Sequence, residues 1–258
     1  MDAAVKKAIW LFLVLFLTWQ VIYFVALVFP ILYDYWLFAY LGVFAVAICF
    51  FVLDKHKMGE LGLKKTKIWK ASIIIGLVFA VAYNIYWVVL GTPIFSIESV
   101  RIVSHGVFSI PYNLLFALTV GLVEETTFRG YILRNLSKTY SNTKAIVYSS
   151  ILFGLYHLSL ISAFTSATPV FDTFTYWVLF VLAAMLIGVF LGCFYIYAQK
   201  STIGPIIYHS SSIFVESLIP FTLATSQLNG HLFTTTIYIL FIPLLIFLLK
   251  SKQVARNN

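Results

Sequence analysis

The chain has 258 residues, 62% hydrophobic and only 10% charged, with a mean hydropathy of +0.98 and a formal net charge of +8. A soluble domain carries roughly 25% charged residues, so the composition excludes a water-soluble globule and indicates a polytopic membrane protein. In a soluble chain the positive balance would invite a nucleic-acid partner. Here the lysines and arginines fall in short segments between apolar runs, which indicates membrane orientation and no nucleic acid.

A helix needs about 20 apolar residues to cross the hydrocarbon. On that rule the sequence predicts an all-α bundle of about eight transmembrane helices, and hence a multi-pass protein of the cell membrane. The first span, 8–29, follows Lys6-Lys7 and is long enough to cross; with no small-x-small site after it, no cleavable signal peptide is expected. The second is 36–53. After it comes "DKHKMGELGLKKTKIWK" (54–70), the largest basic loop, read as a topology anchor touching anionic headgroups or as a docking surface for a substrate. Spans follow at 70–90, 111–134, 144–163, 175–198, 203–220 and 233–249. Cys49 and Cys193 both lie in apolar runs and are expected to pack as small hydrophobes without a disulfide. The chain divides into N-terminal helices with the basic loop (1–110), a core (111–220), and a last helix with a basic tail (221–258).

Eight spans place both termini on one side, and the charges agree. Of 17 basic residues, 15 fall on the side of the N-terminus: Lys6, Lys7, Lys55, Lys57, Lys64, Lys65, Lys67, Lys70, Arg134, Lys138, Lys144, Lys200, Lys250, Lys252 and Arg256. Arg101 lies opposite, with Asp34, Glu98 and Asp172, and Arg129 is inside a span. Both termini are therefore expected in the cytoplasm.

The span 111–134 contains "GLVEETTFRGYIL", from Gly121 to Leu133. Ionisable groups at membrane depth face the protein interior or a wet cavity and mark function. Glu125 and Arg129 are one helical turn apart and are expected to pair. Glu124, rotated by about 100°, has no such partner and must find one on another helix or in water. Of the five histidines, only His157 and His209 sit inside spans; His56, His105 and His231 fall in loops. Counted from the cytoplasmic ends, Glu124 is roughly 15 Å deep, His157 roughly 20 Å and His209 roughly 9 Å, at a rise of about 1.5 Å per residue. With helix tilt the three depths overlap. One carboxylate and two imidazoles at such depths suit general-base chemistry, and by ligand type they also suit a divalent metal such as zinc.

Glu124-Glu125-x-x-x-Arg129 resembles the EExxxR motif of the CPBP group, the CAAX prenyl endopeptidases and bacteriocin-processing enzymes also called the Abi family, and Phe153-x-x-x-His157 resembles its FxxxH motif. "MLIGVFLGCFY" (185–195), with Gly188 and Gly192, resembles the family's small-residue region, and His209 the histidine of its last motif. The resemblance covers about 110–215 and implies an intramembrane endopeptidase. Its substrate would be a membrane-associated peptide or protein: a CAAX protein, or a bacteriocin or pheromone precursor. It further implies that Glu124 and His157 activate a water with no cofactor required, that Glu125 and Arg129 form the scaffold, and that His209 stabilises the oxyanion. The short loops and compact length favour a bacterial member.

The family has Asn or Asp four residues after the last histidine. Ile213 stands there in this chain, leaving Ser212, on the face of His209, as the nearest hydroxyl. This departure favours a second reading, a catalytically silent scaffold or regulator of the same fold. A transporter using Glu124 as a proton site is a third. The sequence contains no HExxH, GxSG or GxGD motif of other intramembrane protease classes.

Overall fold

The computed structural model describes residues 2–28, 36–55, 58–86, 89, 97–100, 109–158, 170–218, 221–223 and 237–244. Each of the eight apolar segments is helical where it is described: α1 (Ala3–Val28), α2 (Trp36–Leu53), α3 (Trp69–Tyr86), α4 (Ser109–Glu125), α5 (Asn142–His157), α6 (Val170–Tyr197), α7 (Ile203–Leu218) and α8 (237–244). In hydrocarbon a helix is the spanning form that satisfies its own backbone groups. Start signals are local. Asp2 Oδ1 accepts from Ala4 N at 2.7 Å before α1, and Ser141 Oγ accepts from Lys144 N at 3.5 Å before α5.

By length and hydropathy, three described stretches suffice to cross a membrane: Ala3–Ile22, Trp69–Tyr86 and Val178–Tyr197, with Leu37–Leu53 a shorter apolar helix. The outer surface supports the same environment. Phe24, Phe38, Val52, Leu53, Ile74 and Val78 are all at least 60% exposed, an apolar exterior that water would penalise and acyl chains accept. Arg101 and the loop histidines His56, His105 and His231, together with the basic tail with Lys250, Lys252 and Arg256, lie outside the described residues.

The helices share one apolar core to which α1 through α8 all contribute, so the N-terminal helices are part of the same packed body as the motif-bearing ones. Within it α5 packs along α6, and α7 packs against both α3 and α4; α2 lies on α4, and α1 on α2. Close approach rests on small residues. A Cβ at Gly188 would stand 2.9 Å from Ser150 Cβ, and one at Gly192 would stand 3.0 Å from Ile146 Cγ2. The run singled out in the sequence therefore brings α6 against α5.

One feature adds to the helical reading. Ile97–Val100 (β1) pairs antiparallel with Phe221–Leu223 (β2), with Ile97 opposite Leu223 and Val100 opposite Phe221. β1 follows α3 and β2 follows α7, and these helices are neighbours, so their continuations meet.

The basic loop is stitched to the bundle. Thr202 N donates to Gly62 O at 3.0 Å, Ser201 Oγ to Lys64 O at 3.0 Å, and Arg134 to the Glu60 carbonyl. Leu61 is 2% exposed, whereas Lys64, Lys65, Lys67 and Lys70 are exposed. The loop thus presents an outer cationic face above a buried inner one.

Candidate active site

The motif helix does not stay α-helical. After Glu125 it continues as a π-helical stretch, Thr126–Leu133, before a final α turn, Arg134–Leu136. π-Helical stretches within α-helices are frequent at functional sites, and this one begins directly after the paired glutamates. Neighbours take up some of the shifted backbone groups: Ser149 Oγ on α5 donates to Phe128 O at 3.1 Å. The stretch is also packed tightly, since a Cβ at Gly130 would stand 2.1 Å from Leu61 O of the basic loop.

Glu124, Glu125 and Arg129 are 2%, 0% and 1% exposed. Charges buried this deeply must be paired. The expected pair forms, with Arg129 Nη1 3.1 Å from Glu125 Oε1. Arg129 has two further partners on other helices. Its Nη2 donates to Gly188 O on α6 at 3.3 Å, and its guanidinium carbon lies 4.4 Å from the centre of the Phe153 ring on α5. Arg129 therefore ties three helices together, and the glycine that allows the α5–α6 approach also supplies one of the carbonyls.

His209 reaches the same place from α7. Its Nδ1 lies 2.9 Å from Glu125 Oε1 and its Nε2 3.8 Å from Glu124 Oε2. A carboxylate only accepts, so Nδ1 carries the hydrogen and donates it to Glu125. Glu125 consequently does two things with one oxygen: it neutralises Arg129 and it orients the imidazole so that Nε2 faces Glu124. The sequence reading gave Glu125 the first role only.

His157 closes α5. Its Nδ1 lies 2.7 Å from the Phe153 carbonyl one turn back, so Nδ1 is the donor and Nε2 is left as the lone-pair nitrogen of the neutral ring. The ring is walled by Phe153, Tyr156 and Phe180, with ring centres 4.6, 5.7 and 5.6 Å away. No hydrogen bond or ion pair joins His157 to Glu124, although the carboxylate lies within electrostatic reach of it. The imidazole directly facing Glu124 is that of His209.

Two features were not legible in the sequence. Tyr40, on α2, donates its hydroxyl to Glu124 Oε1 at 3.2 Å. Ser210, next to His209, packs against α4 so closely that a Cβ at Gly121 would stand 2.2 Å from its Oγ. Tyr40 carried no signal, being one of 16 tyrosines in the chain, most of them in apolar runs. Gly121, one turn before Glu125, was the available hint for Ser210. Ser212 is buried at 6% exposure, one turn beyond His209, and Ile213 packs on the apolar core.

Among the described residues, no group of three or more His, Cys, Asp or Glu side chains is gathered at metal-binding spacing. Glu124, His157 and His209 are not gathered at such spacing in this structure. Elsewhere, a cavity of about 500 Å³ opens between α3 and α7, lined by Leu77, Ala80, Asn84, Ser211 and Phe214 among others.

Residues 106–215 match the family model described as Rce1-like, type II CAAX prenyl endopeptidase Rce1-like. The matched stretch contains Glu124, Glu125, Arg129, His157, His209 and Ser212, and it leaves α1, α2 and α3 outside. No curated protein matches the chain.

Proposed function

From the match of residues 106–215 to the Rce1-like type II CAAX prenyl endopeptidase family model, we propose that this protein is an intramembrane endopeptidase whose attacking water is activated by Glu124 and His157. The observation that carries the reading is the buried pair of carboxylates with two imidazoles around them. Glu124 Oε2 has no hydrogen-bond partner among the described residues and faces His209 Nε2 across 3.8 Å. A separation beyond hydrogen-bond length between two polar atoms suits a shared water. His157 Nε2 is the second basic nitrogen, freed for this work because Nδ1 is committed to Phe153 O.

In this mechanism Glu124, assisted by His157, takes one proton from the water as its oxygen attacks the scissile carbonyl, and that proton passes to the amine nitrogen as the C–N bond breaks; because the nucleophile is water, no acyl-enzyme forms. His209 turns toward the developing oxyanion from the α7 side, and donors aimed at that charge lower the barrier most. Arg129 and Glu125 hold the frame. Ser212 is the hydroxyl one turn beyond His209 on α7, whereas Ile213 packs against the apolar core. The substrate is a membrane-associated peptide or protein, either a CAAX-type chain or a bacteriocin or pheromone precursor. The apolar cavity between α3 and α7 suits a substrate arriving from the bilayer.

The test is cleavage by the purified protein in nanodiscs. Farnesylated CAAX peptides and hydrophobic precursor peptides are incubated with it and read by mass spectrometry. A product released by the wild type and absent with Glu124→Gln is the expected result. Ile213 favours the alternative, a regulator of the same fold without turnover. That reading takes over if no probe is cut while the biological output of the protein survives Glu124→Gln.

We place all eight helices across the cell membrane with both termini in the cytoplasm, on the strength of the 15 basic residues on that side. Reporter fusions at Asn258 and within 54–70 are expected to read cytoplasmic, and fusions within 91–110 external. An external C-terminus would overturn the eight-span count.

A further inference from the structure

We infer that Tyr40, outside the family-matched domain, is a positioning residue for Glu124, so that the N-terminal helices complete the active site; the inference rests on the peptidase reading above. The terminal torsion of a glutamate is broad and nearly two-fold, so packing alone sets the orientation of its carboxylate plane poorly. A hydrogen bond to one oxygen selects the angle and decides which oxygen remains available. Here Tyr40 donates to Oε1 at 3.2 Å, and Oε2 is the oxygen left facing His209 Nε2.

Tyr40 is itself held. It is 8% exposed, and its ring stands edge-on to Trp19 of α1, centres 4.9 Å apart at 76°, and to Phe116 of α4, centres 5.6 Å apart at 83°. Such edge-to-face contacts fix a ring's tilt as well as its place. Trp19, 1% exposed, also donates Nε1–H to the Tyr156 hydroxyl, and Tyr156 is the residue before His157. One aromatic layer from α1 and α2 therefore reaches the carboxylate through Tyr40 and the neighbour of the second imidazole through Trp19. A donor brought to a carboxylate in a water-poor setting also acts without screening.

The experiment uses the full chain in nanodiscs with a farnesylated CAAX peptide as probe, and compares wild type, Tyr40→Phe, Glu124→Gln, the double variant and Phe116→Ala. Tyr40→Phe keeps the ring and removes only the hydroxyl. It should lower kcat by about 10- to 100-fold, the scale of a small misplacement of a reacting group, with KM within about twofold of wild type and melting temperature near wild type. In the Glu124→Gln background the same change should have no further effect on residual cleavage, because Tyr40 acts through that carboxylate. Phe116→Ala, which loosens the packing and leaves the hydroxyl, should lower the melting temperature more than kcat. An unchanged kcat in Tyr40→Phe overturns the inference while Glu124→Gln remains inactive. So does a loss of kcat that tracks melting temperature in both Tyr40→Phe and Phe116→Ala. Indistinguishable cleavage by wild type and Glu124→Gln sinks the peptidase reading itself, and the positioning role with it.

Discussion

Glu124→Gln is expected to reduce peptide cleavage by about 10²–10⁴-fold, the usual contribution of a positioned general base, while membrane abundance stays near wild type. The substitution is nearly isosteric. Its amide oxygen still accepts from Tyr40, and the buried site keeps its volume. What it loses is the charge and the basic oxygen facing His209 Nε2 at 3.8 Å. His157→Ala should cost a similar factor, since it removes the nitrogen that the Phe153 carbonyl leaves free. The double variant should be little worse than either single one, because groups that act on one water fail as a unit. The check is single-turnover cleavage by purified variants, with abundance read in parallel from membranes. If Glu124→Gln retained rate, the carboxylate would be structural and the regulator reading would replace the peptidase.

Arg129→Ala is expected to act on folding. Removing one member of a buried pair leaves the other charge uncompensated, at a cost of about 3–5 kcal/mol, a large share of the roughly 5–15 kcal/mol that holds a typical domain. The geometry makes this site worse than an average pair. Glu125, 0% exposed, loses its cation, the Gly188 carbonyl its donor, and the Phe153 ring its cation. Membrane abundance should fall severely, and the melting temperature of what remains should drop. Arg129→Lys should recover only part, since one ammonium cannot serve a carboxylate, a carbonyl and a ring face together. Replacing both partners, as Glu125→Gln with Arg129→Met, should restore abundance better than either single change because neither member of the pair is left behind as a lone charge. It should not restore cleavage, because His209 then lacks the carboxylate that orients it. An abundant but inactive Arg129→Ala would move Arg129 from the scaffold into the chemistry.

The placement of Glu125 shows why role assignment stops short in a sequence. Its spacing to Arg129 is a property of one helix and is visible as four residues. Its bond to His209 at 2.9 Å is a property of how α4 and α7 are rotated against each other, and that rotation depends on Gly121 admitting Ser210. Likewise, depth along each helix put both histidines near Glu124, but depth says nothing about azimuth. The structure sets His209 against the carboxylates and points His157 at its own backbone.

The sequence by itself determined the membrane class, the places of the apolar helices, the buried Glu125–Arg129 pair and the residues able to carry chemistry. Hydropathy and helical period are local quantities, written in neighbouring residues. Only the tertiary structure decided that the motif helix turns π-helical at the glutamates, that Gly188 gives Arg129 a carbonyl, that β1 and β2 pair beyond α3 and α7, and that Tyr40 holds Glu124. The last contact joins residues 84 positions apart. Nothing local distinguishes Tyr40 from other tyrosines in apolar runs; packing of α2 on α4 selects it.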